Sequence, residues 1–205
     1  EKIVKSSLKL LGIKSLYGLL IHRSENLLED LGNRLIHALK RVKINGLVKK
    51  IGVSIYDPSE CEQIMKLTRF DIVQAPLNII DRRLVASGWL SKLHSEEIEI
   101  HTRSVFLQGL LLMPRYRIPK KFNKWSFIWD KWTSKLEKNN LTAMEACLLY
   151  VLSYPEIDRV LVGVDNVIQL SEIIKKSQCQ TQNLDWSFMM SDDKMLIEPT
   201  KWNIK

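Results

Sequence analysis

Cysteine is scarce in this chain. Cys61, Cys147 and Cys179 are three among 205 residues, odd in number, far apart and outside any CxxC pair. That excludes a disulfide framework and a cysteine-built zinc site. Long hydrophobic runs are missing as well. None approaches the ~20 residues needed to cross a bilayer, and the opening residues lack a signal-peptide pattern. His22, His37, His94 and His101 show no ligand spacing to cysteines or acidic residues, so no metal is implied. Internal repeats, coiled-coil heptads, low-complexity stretches and recognised nucleic-acid motifs are all lacking. These absences leave a soluble globular protein of a reducing cytoplasm, with neither membrane nor nucleic acid as partner. The initiator methionine is also missing. The first residue is Glu1, before which an initiator is not normally removed, so the expectation is a piece of a longer chain.

Charge of one sign is in excess. Lysine and arginine number 31 against 23 acidic residues, for a net charge of +8. One reading is a surface for an anionic partner. The pairs Lys49-Lys50, Lys120-Lys121 and Lys175-Lys176 fall on separate predicted elements, however, which favours ordinary solvated helix faces.

Hydrophobic periodicity then divides the chain. Ile3, Val4, Leu8 and Leu11 recur at helical spacing, and Gly12 ends that helix. Ser15 to His22 predicts a buried strand. Asn26 to Ile44 predicts a long amphipathic helix with Leu27, Leu28, Leu31, Leu35, Ile36 and Leu39 on its apolar side, closed by Asn45-Gly46. Strands are predicted at Lys50 to Ile55, Asp71 to Ala75, Ile98 to Arg103 and Val160 to Val162. Helices are predicted after Asp57-Pro58 and over Arg82 to Ser95, Trp125 to Glu137, Thr142 to Ser153 and Val167 to Lys176. Pro114 to Lys124 reads as a polar, proline-broken loop at the mouth. Trp125, Ile128, Trp129, Trp132 and Leu136 form an aromatic stripe read as a packing face ahead of a sugar platform. The cations of RYRIPKKFNK read as a solvated loop ahead of a pyrophosphate grip.

Alternating strands and helices with such connections predict parallel pairing. In a (β/α) barrel, chemistry sits at the carboxyl ends of the strands. Five predicted strands end in this chain, and 205 residues fall short of the roughly 250 of a whole eight-unit barrel. The expected fold class is therefore α/β, a (β/α)8 TIM barrel present as about its last five units. Residues 1–178 would form the partial barrel and residues 179–205 a carboxyl-terminal tail packed on it. Five strands would leave the strands ending at His22 and Val162 with open edges, and so a tendency to associate.

The strand-end segments LLIHR (Leu19 to Arg23), GLVKKIGVS (Gly46 to Ser54), VQAPLN (Val73 to Asn78), RSVFLQGLL (Arg103 to Leu111) and VLVGVDNVIQL (Val160 to Leu170) occur in an order and spacing that resembles the aldo-keto reductase family. The likeness runs from about Glu1 to Ser177. SVFLQGLLLMP with the closing LIEPTKW is further similar to bacterial members linked to surface-sugar biosynthesis.

The resemblance implies hydride transfer between a nicotinamide cofactor and a small carbonyl substrate, with NADP(H) expected ahead of NAD(H). It assigns His22 the family's carbonyl-orienting histidine position. Ser54 and Gln74 take the positions that hold the nicotinamide carboxamide, and Arg103 stands where many members place an aromatic under the ring. Ser104, Phe106, Gln108 and Gly109 fall in the pyrophosphate loop. Gly163, Asn166 and Gln169 fall after the last strand, where NADP-preferring members gather cations around the 2′-phosphate, and Asp165 stands among them instead. The family's aspartate, tyrosine and lysine have no match here. Tyr17 has the wrong strand parity relative to His22, and Tyr56 stands where the family usually has a nonpolar aromatic. A non-catalytic nucleotide-binding module, or an inactive remnant, is the alternative reading.

Overall fold

The structure, a computed structural model, describes residues 1–179 and 184–202. In chain order its helices are α1 (Lys2–Leu11), α2 (Gly32–Ile44), α3 (Glu60–Leu67), α4 (Arg83–Ala86), α5 (Trp89–Ser95), α6 (Ser126–Lys138), α7 (Ala143–Leu152), α8 (Val167–Ser177) and α9 (Lys194–Ile197). The strands are β1 (Leu16–Ile21), β2 (Val48–Ser54), β3 (Ile72–Pro76), β4 (Glu99–Arg103) and β5 (Arg159–Val160), and they form a five-stranded sheet in sequential order. β1 pairs parallel with β2, and β2 with β3. The chain divides into two compact units, Glu1–Ala75 with Ser87–His101 and Pro76–Ala86 with Thr102–Lys205.

In the first unit, α1 ends where Gly12 takes a left-handed φ of 66° and its N–H turns back to Leu8 and Lys9. From Ile51 onward β2 is buried on both faces, as a parallel strand covered on two sides should be. Gly52 is required there: a Cβ would lie 2.5 Å from the Ile72 carbonyl oxygen. Only a residue without a side chain lets β2 and β3 approach so closely.

The helix expected from Asn26 starts later, at Gly32. A short 3₁₀ turn, Ser24–Leu27, comes first, and a Cβ on Gly32 would stand 2.0 Å from the Leu27 carbonyl oxygen. The chain turns back on itself at this point, and Leu28 and Leu31 are consequently exposed. The expected helix from Arg82 to Ser95 is likewise broken into α4 and α5, because Gly88 adopts φ 77° between them.

A polar knot fills the amino-terminal end of this unit's strands. Glu99 is buried and its Oε2 accepts from Tyr17 Oη at 2.7 Å and from Lys50 Nζ. His101, also buried, shares a hydrogen bond of 2.8 Å between Nε2 and Glu99 Oε1. Lys50 Nζ also lies 5.2 Å from the Tyr17 ring centre. The hydrogen bonds that Lys50 donates to Glu99 and Tyr17 raise its pKa above the ordinary value. His101 is thus a hydrogen-bonded interior histidine.

The second unit is built around aromatic side chains. Ile128, Trp129 and Trp132 of α6 are buried together with Trp125, Phe122, Trp186 and Trp202. Their indole N–H groups are satisfied internally, Trp129 by the Phe122 carbonyl at 3.1 Å and Trp132 by that of Leu111 at 3.3 Å. The stripe is a packing face. The expected loop at Pro114 to Lys124 contains two 3₁₀ turns, Arg115–Arg117 and Lys120–Trp125. Its cations are engaged: Arg115 with Asp130 at 2.5 Å, Lys124 with Asp193 at 3.0 Å, and Lys121 with the Trp202 carbonyl at 2.8 Å.

In the tail, Trp186, Met189, Leu196, Ile197 and Trp202 are buried in this core, and Glu198 pairs with Arg83 at 3.1 Å. Residues 180–183 and 203–205 of the expected tail lie outside the described residues.

α7 begins with a reciprocal capping box between Thr142 and Glu145, and Lys176 of α8 reaches the same carboxylate at 2.6 Å. Burial would raise the Glu145 pKa, but the hydrogen bonds from Lys176 and Thr142 outweigh it and hold it at about 2.

Replacing Glu99 by alanine removes the shared acceptor of three side chains, and is expected to cost about 2 kcal/mol in urea unfolding at neutral pH. A double variant with Lys50→Met should recover part of that loss. Glu145→Ala is expected to cost about 1 kcal/mol through the lost cap. Because the folded pKa of Glu145 lies below its ordinary 4.5, its contribution is complete above that pH and disappears as the pH falls through about 2. Melting curves of the two proteins should therefore converge in acid.

Candidate active site

Parallel pairing brings the carboxyl ends of β1, β2 and β3 to one edge of the first unit. Ile21 sits opposite Val53, and Ser54 opposite Gln74. His22 follows the last residue of β1 directly and is exposed. Its ring meets that of Tyr56 edge-on, with centres 6.5 Å apart. Ser54 is buried and its Oγ donates to Gln74 Oε1 at 3.5 Å, while the Ile55 N–H donates to the Gln74 carbonyl at 2.9 Å. Gln74 is half-buried, so its amide is held by the neighbouring strand and still reaches solvent.

Glu60 is a residue that sequence reading missed. One carboxylate oxygen accepts from the N–H groups of Tyr56 at 2.9 Å and Asp57 at 2.6 Å. The other accepts from the buried Ser24 hydroxyl. A single side chain at the start of α3 thus ties the loop after His22 to the loop after Ser54. The available signal was an acidic residue in the first turn of a helix following a strand, where free N–H groups gather.

In the second unit β4 ends at Arg103, and the chain then enters a strained loop. Ser104, Leu107 and Gln108 hold φ values of 64°, 46° and 53°, and Gly109 one of 80°. Non-glycine residues take such values at a cost of order 1–3 kcal/mol each, and they concentrate at functional sites. The loop is fixed from below, since Asn78 Nδ2 donates to the Ser104 carbonyl at 3.1 Å and Arg103 Nη1 lies 3.3 Å from Ser104 Oγ. Asn78 is fully buried and accepts in turn from the N–H groups of Ile80 and Asp81, both at 2.9 Å. The N–H groups of Phe106, Gln108 and Gly109 donate to no acceptor among the described residues. Gln108 and Gly109 thus leave two consecutive amides free, and consecutive free amides in a turn form a concavity for anionic oxygen atoms.

That concavity opens on a cavity of about 710 Å³. Arg103, Ser104, Phe106, Gln108 and Gly109 line it from one stretch of sequence, and Gly163, Asp165 and Gln169 from another. Asn166 caps α8, accepting from the Gln169 N–H at 2.9 Å. The residues expected from sequence therefore fall into two sets: His22, Ser54 and Gln74 at the strand ends of the first unit, and Arg103 to Gln169 around the cavity of the second. Volume, free amides and one guanidinium fit the diphosphate of a nucleotide cofactor.

Other chemistry is poorly supported. Burial raises the Cys61 thiol to about 12, and burial pushes Cys147 higher still, so neither serves as a nucleophile at neutral pH. Among the described residues, no cluster of three or more His, Cys, Asp or Glu side chains could hold a metal. Among the described residues, no helix is long and apolar enough to cross a membrane.

Comparison with known proteins bears on the family and the fold. The chain is 24% identical over 162 residues to the Bacillus subtilis (strain 168) protein called uncharacterized oxidoreductase YqkF, covering 75% of this chain and 52% of that protein. The apo form of aldo-keto reductase AKR11C1 from Bacillus halodurans is similar in structure, with a TM-score of 0.72 and 17% identity over 92% of this chain and 65% of that one. The glycerol dehydrogenase AKR11B4 from Gluconobacter oxydans matches with a TM-score of 0.67 and 20% identity over 89% of this chain and 59% of that one. The chain thus spans about half to two thirds of the length of these relatives. The structural likenesses show an α/β fold of the TIM-barrel type. The family model of the Aldo/keto reductase family matches residues 1–189, and the chain belongs to that family.

Proposed function

We propose that this chain supplies the cofactor-binding part of an NAD(P)H-dependent reductase acting on a small carbonyl. The observation that carries this reading is the cavity beside the strained loop Ser104 to Gly109, where free amides and Arg103 can hold a diphosphate. The reduced nicotinamide, when bound, supplies the hydride. In the first unit, taken by itself, Ser54 and Gln74 suit a carboxamide: the Ser54 hydroxyl donates to Gln74 Oε1, which leaves the Gln74 amide N–H groups to donate elsewhere. The family's usual NADP(H) is the starting expectation for the cofactor.

His22 would donate a hydrogen bond to the substrate oxygen and stabilise the charge that develops there. Exposure at the strand end supports that role, since the ring is accessible. Tyr17 does not serve as the acid. It lies five residues before His22 on an extended strand, about 16 Å away, and its hydroxyl is engaged with Glu99. The aspartate, tyrosine and lysine implied by the family have no match among these strand ends. The complete reaction therefore belongs to a whole protein of which this chain is the carboxyl-terminal portion, about five units of an eight-unit barrel. Residues 1–178 form the barrel part and residues 179–205 the tail in this reading. A sugar-related substrate and a cytoplasmic setting complete it, on the likeness of SVFLQGLLLMP and LIEPTKW to surface-sugar members.

The whole protein should oxidise a reduced nicotinamide cofactor when given small aldehydes or ketoses, followed by loss of nicotinamide absorbance. Binding without turnover would favour a non-catalytic nucleotide module instead. His22→Asn is expected to lower kcat about 100-fold while leaving cofactor affinity unchanged. Gln74→Leu should instead raise the cofactor Kd about tenfold with the fold intact.

Glu60→Ala releases the loops behind His22 and Ser54, and is expected to lower kcat/KM about tenfold. If Glu60→Ala matched the wild type in both kcat and KM, the clamp would have no functional part.

A further inference from the structure

The charges lining the cavity of the second unit are unevenly matched to the two forms of the cofactor. This inference rests on the reading that the cavity takes a nicotinamide dinucleotide. One guanidinium, Arg103, and one carboxylate, Asp165, line it, with no lysine and no second arginine among the described residues. Arg103 and the free amides of Phe106, Gln108 and Gly109 suffice for one diphosphate. A 2′-phosphate would bring about two further negative charges at neutral pH into a space whose remaining charged group is an anion.

The backbone at Asp165 is held in place. Its N–H donates to Gln169 Oε1 at 2.8 Å, and the Gln169 N–H donates to Asn166 Oδ1 at 2.9 Å, so the turn into α8 is closed from both sides. The Asp165 carboxylate has no hydrogen-bond partner among the described residues and is exposed. It stands just before the amino end of α8, where the helix field favours a negative charge. The cations of α8 are at the wrong end. Lys175 follows Val167 by eight positions, about 12 Å along the axis, and Lys176 is paired with Glu145 at 2.6 Å.

We propose that Asp165 makes this site selective for NAD(H) over NADP(H). A carboxylate can accept hydrogen bonds from the two hydroxyls of an unmodified ribose, and it repels a phosphate placed on either of them.

Titration of the whole protein that contains this chain with NADH and with NADPH, followed by nicotinamide fluorescence, tests this directly. NADH is expected to bind at least about tenfold more tightly, the discrimination that one like-charge contact readily supplies. Asp165→Ser should narrow the ratio, and Asp165→Arg should reverse it in favour of NADPH. Equal or tighter binding of NADPH by the unsubstituted protein would overturn the proposal while leaving the dinucleotide site standing. An unchanged ratio in a folded Asp165→Arg variant would also overturn it. Failure of the unsubstituted protein to bind either form would remove the cofactor reading and this inference together. The unsubstituted protein alone reports the preference, so the test survives a variant that fails to fold.

Discussion

The parallel register of β1, β2 and β3 is the constraint from which the first unit's group of strand-end side chains follows. With Ile21 opposite Val53 and Ser54 opposite Gln74, three separate stretches of sequence end side by side. A slip of one residue in β2 would turn Ser54 toward the opposite face and replace it with a buried aliphatic neighbour. Gly52 helps to prevent such a slip, because its contact with the Ile72 carbonyl admits no side chain at that position. Glu60 then fixes what the register cannot reach, the two loops beyond the strand ends.

The second unit solves a different problem. Its loop after β4 holds four residues at positive φ, a conformation that persists only where surroundings over-determine it. The buried Asn78 supplies that support through bonds to the Ser104 carbonyl and to two N–H groups of its own turn. Beyond it, Asp81 pairs with Arg83 at 2.9 Å and Arg83 with Glu198 at 3.1 Å. The strained loop is therefore anchored, through one short segment, to the tail that closes the aromatic core.

Much of this was legible from periodicity and capping. Gly12 and Asn45-Gly46 stop helices where expected, and five strands appear in the predicted order. Two helices were misjudged for the same reason. Leu27, Leu28 and Leu31 continue the helical spacing of α2 backward, yet Gly32 packs against the Leu27 carbonyl and only Leu27 of those three is buried. Leu84 and Leu90 are spaced as if on one helix, but Gly88 between them takes a left-handed φ. Apolar spacing carries no information on a turn that a glycine permits without announcing it. Long-range polar pairs were equally hidden. The Glu99 knot joins residues 82 positions apart, and Glu99 reads in sequence as a solvent-facing charge before a strand.

The chain's positive charge illustrates how poorly net charge reports on a binding site. Arg115, Lys121 and Lys124 are committed to Asp130, the Trp202 carbonyl and Asp193, which stabilises the core of the second unit. Lys176 is committed to Glu145, and Lys50 to Glu99. The concavity suited to an anion owes little to these side chains. It is lined by Phe106, Gln108 and Gly109, whose backbone N–H groups have no acceptor among the described residues, together with one guanidinium. Amides bind a phosphate oxygen at a defined point, whereas scattered lysines attract any anion anywhere on the surface. A site read from charge alone would have pointed to the RYRIPKKFNK segment. Backbone geometry points instead to the loop after β4, which carries a single cation.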